Sequence, residues 1–165
     1  MNIKYKALEK EELNRRGKYL RRIGNYKEAL ACYDSAIKMA PRYSTAWFNK
    51  GNTLLALGKY RAAITCYDKA IKINPQDFDA WFNKGYTLGC LNRYQEEIVC
   101  CNRAIKMQPR DPDLWNEKGA ALFALEEYKA ALTCFSRAIA IEPKYDRAKR
   151  NKRFTLKTLT TLNQD

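Results

Sequence analysis

The chain has 165 residues and a formal charge of +13, from 31 Lys and Arg against 18 Asp and Glu, and it contains no histidine. Without histidine there is no Ser-His-Asp or Cys-His nucleophile pair, no imidazole base near neutral pH and no mixed Cys/His zinc site. An apolar share of 46 % supports a packed core in one domain or one short array, and the basic excess favours an acidic partner, whether peptide, nucleic acid or anionic membrane.

In chain order, the opening MNIKYKALEKEELNRR turns charged before a signal-type apolar segment develops, and no later stretch approaches the ~18 apolar residues of a membrane helix. The expected location is the cytoplasm. From residue 10 the sequence returns on itself every 34 residues, giving units 10–43, 44–77, 78–111 and 112–145. Trp47, Trp81 and Trp115 keep that period, as do Pro41, Pro75, Pro109 and Pro143, and Gly17, Gly51, Gly85 and Gly119. Units two and three are identical at 17 of 34 positions, far beyond coincidence.

Each unit reads as two amphipathic helices. In unit two, Trp47, Gly51, Leu54 and Leu57 recur at helical steps, and so do Ala63, Ile64, Tyr67, Ala70 and Ile71. Gly58 stands where the first helix must stop, and Asn74-Pro75 ends the second. Unit three departs from the others: Glu97 occupies the small-residue position and Cys101 the aromatic one. A carboxylate at a helix crossing predicts that unit three is the least stable and that Glu97→Ala raises the melting temperature. After residue 145 the Trp and Gly columns stop. Residues 146–160 read as a capping helix with apolar spacing at Ala148, Phe154, Leu156 and Leu159, followed by a frayed end at 163–165.

Six cysteines without CxxC spacing read as reduced thiols. Cys32, Cys66, Cys100 and Cys134 also keep the 34-residue step, but helices pack at ~8–10 Å, so equivalent cysteines of stacked units lie too far apart for disulfides. They act as small hydrophobes. No metal-ligand cluster, phosphate loop or placed acid/base pair is present, so the expectation is a non-catalytic protein with no metal or cofactor.

The Trp, Gly, Tyr26–Tyr60–Tyr94–Tyr128, Ala36–Ala70–Ala104–Ala138 and Pro columns make the chain resemble the tetratricopeptide-repeat (TPR) family over residues 10–145. The usual Leu before the glycine is replaced by Arg16, Lys50, Lys84 and Lys118, and Leu13 stands in place of the first Trp. The resemblance implies an all-α, right-handed superhelical array of antiparallel helix pairs, a single domain over 1–165, whose first helices line a concave groove for extended peptides. Carried onto this chain, the groove positions are Asn14, Arg15, Lys18, Arg21 and Arg22 in unit one, and Phe48, Asn49 and Asn52 in unit two. Unit three adds Phe82, Asn83 and Tyr86, and unit four Asn116 and Glu117. The asparagines resemble the asparagine ladder of some peptide-binding TPR arrays. The carboxylate clamp that holds chaperone tails uses a Lys-Asn-Asn-Lys-Arg set, against which this chain offers Asn14, Lys18, Asn49, Asp79 and Asn83; that reading is disfavoured.

The charge is polarised: +6 over residues 1–43 and +4 over 146–165 flank units of +3, +1 and −1. Arg and Lys at the first unit suit carboxylates, Asn suits peptide amides, and Phe and Tyr supply apolar contact. The leading reading is a protein–protein interaction module that takes an extended acidic segment of a partner protein. Nucleic-acid binding is the alternative, disfavoured because the basic residues cluster at the ends instead of along one path; a self-assembling homo-oligomer is the third, and a membrane partner is not expected.

Overall fold

In the computed structural model residues 3–162 are described, with side chains from residue 9 onward; the expected frayed end at 163–165 lies outside them. They form helices and turns without a strand: α1 (Ile3–Arg22), α2 (Tyr26–Met39), α3 (Ser44–Ala56), α4 (Tyr60–Ile73), α5 (Phe78–Gly89), α6 (Tyr94–Met107), α7 (Pro112–Ala124), α8 (Tyr128–Ile141) and α9 (Asp146–Leu162). The predicted all-α fold and its helix pairs are therefore present. The first helix starts well before residue 10, and the capping helix runs to Leu162.

The pairs follow from three repeated devices. The turn between the two helices of a unit needs a left-handed residue, with φ +80° at Gly24 and +69° at Gly58, which glycine adopts without steric cost. The same column holds Asn92 at 57° and Glu126 at 62°, an amide that tolerates this region and a glutamate that does not favour it. Next, each Trp fixes the following unit to the end of the preceding one: the indole N–H groups of Trp47, Trp81 and Trp115 donate to the carbonyls of Pro41, Pro75 and Pro109, all at 3.0 Å. Finally, an aromatic side chain fills the helix crossing. A Cβ on Gly17, Gly51 or Gly119 would stand 2.6 Å from the ring of Tyr33, Tyr67 or Phe135, so these columns require one another.

Contacts divide the chain into two compact units, Met1–Thr87 and Leu88–Asp165. In the first, α1 packs on α2, α2 on α3 and α3 on α4. Its core runs through Leu20, Ala29 and Tyr33 to Leu54, Ala63, Cys66 and Tyr67, and on to Ala70, Ile71 and Ala80. Fully burying each Leu or Ile contributes about 1.5–3 kcal/mol, which explains the strict apolar spacing of α4. In the second unit, α6 packs on α7, α7 on α8 and α8 on α9, around Leu122, Ala131, Cys134 and Phe135. Cys66, Cys100 and Cys134 are buried, as small hydrophobes are, and burial pushes the Cys66 thiol up to about 11.

The lysines in place of the usual leucine have a structural explanation. Lys50 pairs with Asp34 of α2 at 2.5 Å and Lys84 with Asp68 of α4 at 2.6 Å, while each ammonium lies over its neighbouring Trp ring at 5.8 and 5.6 Å. The aliphatic stem covers the core and the charge is neutralised at its edge. The cap differs from the expectation. Phe154 and Leu156 face solvent, whereas Ala148 and Thr155 are buried against the preceding pair. The Thr155 hydroxyl spends its donor on the Asn151 carbonyl at 2.8 Å, so a polar residue can sit in this interior.

Candidate functional site

The candidate surface in the first unit is built by α1, α3 and α5. Arg15, Lys18 and Arg22 are exposed on α1; Arg15 pairs with Glu12, and the Arg22 guanidinium lies over the Tyr19 ring at 5.8 Å. On α3 and α5, Asn52 and Asn83 are half-buried and Tyr86 is exposed. The Asn52 oxygen accepts from Tyr67 Oη at 2.8 Å and from Asn83 Nδ2 at 2.9 Å, which leaves the Asn52 amide nitrogen as its free polar group. Phe48 packs on Tyr67 with ring centroids 6.1 Å apart, and Phe82 stacks on Phe78 at 6.1 Å.

Three of the predicted asparagines are structural. Asn14 and Asn49 are buried, and Asn49 Nδ2 donates to Asn14 Oδ1 at 2.8 Å, tying α3 to α1. Asn116 is buried in the second unit, where its Oδ1 accepts from Asn151 Nδ2 at 2.9 Å and ties α9 to α7. These amides meet each other because neighbouring first helices run side by side, so one helix's donor finds the next helix's acceptor. At these positions asparagine joins helix to helix, and its amide is spent within the chain. Glu117, also in the predicted set, pairs with Arg147 at 2.7 Å.

Beneath α1 lies a feature that residue type alone does not reveal. Tyr33 is 0 % exposed, and its hydroxyl has no hydrogen-bond partner among the described residues; the same is true of Arg21 Nε. Burial raises the Tyr33 pKa, while the nearby Thr53 hydroxyl and Arg21 guanidinium pull it back, which puts these groups in one neighbourhood. Tyr33 Oη accepts as well as donates, so the Arg21 guanidinium and the Thr53 hydroxyl beside it are the groups of this chain that meet it there.

Models of the tetratricopeptide repeat match residues 44–77 and 112–145, 66–98, and 14–60. The chain belongs to the tetratricopeptide-repeat family. Among solved structures, this TPR chain is similar to MamA, at 20 % identity and TM-score 0.85 over 90 % of this chain and 81 % of that one. It is also similar to MamA 41-end from Desulfovibrio magneticus RS-1, at 19 % identity and TM-score 0.80 over 94 % of both chains. The first TPR of Spaghetti (RPAP3), bound to the HSP90 peptide SRMEEVD, aligns at 26 % identity and TM-score 0.67 over 71 % of this chain and 93 % of that one. No curated protein shows significant sequence similarity. TPR folds serve as protein–protein interaction scaffolds and are in general not enzymes. No helix among the described residues is long and apolar enough to cross a membrane.

Proposed function

We propose that this TPR chain binds an extended, acidic segment of a partner protein on its first unit. Arg15, Lys18 and Arg22 receive carboxylates, while Asn52, Asn83 and Tyr86 meet the peptide backbone. The observation that carries this reading is the exposed cationic face of α1, Arg15, Lys18 and Arg22, in the same unit as the Asn52–Asn83 amide pair on α3 and α5. Carboxylates of the partner pair with these exposed side chains, and charge-assisted bonds to arginine are the stronger kind. The HSP90 peptide SRMEEVD bound to the first TPR of RPAP3 contains two glutamates and one aspartate, which agrees in charge. The segment charge of +6 over residues 1–43 has the matching sign.

Lys18→Ala with Arg22→Ala tests this at two exposed positions. Thermal stability stays equal, yet affinity for a labelled acidic peptide falls by about fivefold or more, the worth of one net hydrogen bond of ~1 kcal/mol. In parallel, a pull-down compares wild type with an Arg15→Glu, Lys18→Glu, Arg22→Glu variant. Identical partner lists, together with unchanged affinity in the Lys18→Ala, Arg22→Ala variant, remove the α1 surface from consideration.

A further inference from the structure

The capping helix, in the segment of charge +4 over residues 146–165, carries a second charged surface. Positions 150, 151 and 154 continue the 34-residue columns of Asn116, Glu117 and Ala120, and because the repeats end here, Arg150 and Phe154 are exposed where Asn116 is buried. Along α9, Arg147, Arg150, Asn151, Arg153, Phe154 and Lys157 line a shallow depression of about 600 Å³. Arg147 is committed to Glu117 at 2.7 Å. Arg150, Arg153 and Lys157 make no ion pair with the described residues, and the Phe154 side chain among them is 61 % exposed. Much of the ring stays in water beside three cations that have no ion-pair partner among the described residues.

Phe154 and Asn151 also border a smaller notch of about 100 Å³, whose other lining groups are Ala120, Phe123, Phe135 and Thr155. Phe135 and Thr155, both buried, form its floor, and Phe154 leans on Phe123 with ring centroids 5.4 Å apart. Beside it, Asn116 is fully buried and keeps Nδ2 without an acceptor. An apolar cavity of ~150 Å³ takes up benzene, so a notch of this smaller size admits an aliphatic side chain and excludes a nucleobase. From residue 150 to 157 the helix axis advances about 10 Å, the reach of roughly three residues of an extended peptide.

We infer that α9 is a second binding surface for an acidic partner peptide: an aliphatic side chain enters the notch between Phe123 and Phe154, and flanking carboxylates pair with Arg150, Arg153 and Lys157. The surface lies within the second unit and does not rest on the α1 reading. Nucleic acid, the other polyanion, would find the cations and could stack a base on Phe154, but it would leave the notch unfilled.

The test uses the full chain and fluorescence anisotropy. The probes are a labelled heptapeptide with one leucine between acidic residues, its leucine-to-serine version, and a heptameric oligouridylate. Wild type is expected to prefer the leucine peptide by about fivefold, within the 1–3 kcal/mol typical of apolar pocket filling. Arg150→Ser with Arg153→Ser weakens both peptides by about tenfold or more. Ala120→Leu fills the notch and removes only the preference for leucine. Should Ala120→Leu melt early, Phe154→Ala replaces it, since this exposed ring can be removed without opening the core. No binding by wild type, equal binding of the two peptides, or insensitivity to the arginine pair overturns the inference. Oligouridylate binding as tightly as peptide, with the same loss in the arginine variant, assigns α9 to nucleic acid instead. The Arg15→Glu, Lys18→Glu, Arg22→Glu chain separates the two surfaces. If it alone abolishes peptide binding, the α9 surface falls and the α1 reading stands; if only the α9 variants do, the reverse follows.

Discussion

Repeats three and four meet the same packing problem in opposite ways. In repeat four, α7 crosses α8 at Gly119, where the Phe135 ring fills the space, Ala131 lets the backbones approach and Phe123 closes the side. Repeat three has Cys101 for the ring, Glu97 for the small residue and Gly89 in the column of Phe123. A Cβ on Gly89 would stand 2.7 Å from Glu97 Oε2, so the carboxylate occupies room that the missing side chain of residue 89 provides. Volume has moved from one element to another, and a titratable group has come with it. A repeat can lose its column residues when neighbours exchange volume, but what fills the space decides how the unit responds to pH.

The largest consequence is that response. Glu97 is 6 % exposed, and burial, reinforced by the nearby Glu117 charge, raises its pKa from 4.5 to about 7. Between those values the native chain keeps a proton that the unfolded chain releases. The contribution of Glu97 is therefore fully present below pH 4.5 and is lost as pH rises through about 7. The shift corresponds to about 3 kcal/mol. Urea denaturation at pH 5 and pH 8 should show this loss in wild type, and Glu97→Gln should remove it. An unchanged difference in Glu97→Gln would place the titration elsewhere. The sequence-based expectation for Glu97→Ala is altered by the same geometry, because alanine relieves the buried charge but leaves a void beside Gly89.

A smaller effect separates the two crossings sterically. Gly119→Ala drives a Cβ into the Phe135 ring, a rigid neighbour on both sides, and should cost about 2–3 kcal/mol. Gly89→Ala meets the end of a flexible glutamate and should cost about 1 kcal/mol. The second loss should vanish in a Glu97→Ala background, since the clash partner is gone; the first should not. A double-mutant cycle over residues 89 and 97 with no coupling would show that they do not share the space.

The repeat, its helix pairs and the Gly–aromatic crossings were legible because a 34-residue period writes the same contact several times over. Trp47, Trp81 and Trp115 announced their role by recurring with Pro41, Pro75 and Pro109. The candidate surface was legible only in part. Lys18 and Arg22 face solvent as their helical positions imply, but Asn14, Asn49 and Asn116 lie inside because an amide can donate to one helix while accepting from the next, and residue type does not say whether such a partner is near. The neighbourhood of Tyr33, Thr53 and Arg21 was hidden because it joins three helices, and residue type does not say which side chains meet. The face of α9 was discoverable from the columns themselves, which continue past the last Trp even though the apolar spacing of the tail drew attention to Phe154 as a core residue.

The weakest contrast between repeats lies in the lysine column, and it sharpens what the charge is for. Lys50 and Lys84 each reach an aspartate on the preceding helix, Asp34 and Asp68. Lys118 lies over Trp115 at 5.9 Å in the same manner, but the corresponding position on α6 is Asn102. If the pair stabilises the stacking of one repeat on the next, Asn102→Asp should raise stability by about 0.5 kcal/mol in low salt, and 1 M salt should erase most of the gain, since exposed pairs are screened. Lys118→Met separates the pair from the packing. In the Asn102→Asp background it should remove the gain, while alone it should be near neutral, because the methionine keeps the apolar stem over the Trp ring. A gain that survives Lys118→Met would belong to the new carboxylate alone, and the two pairs of the first unit would then be surface decoration on a stack held by Trp and Pro.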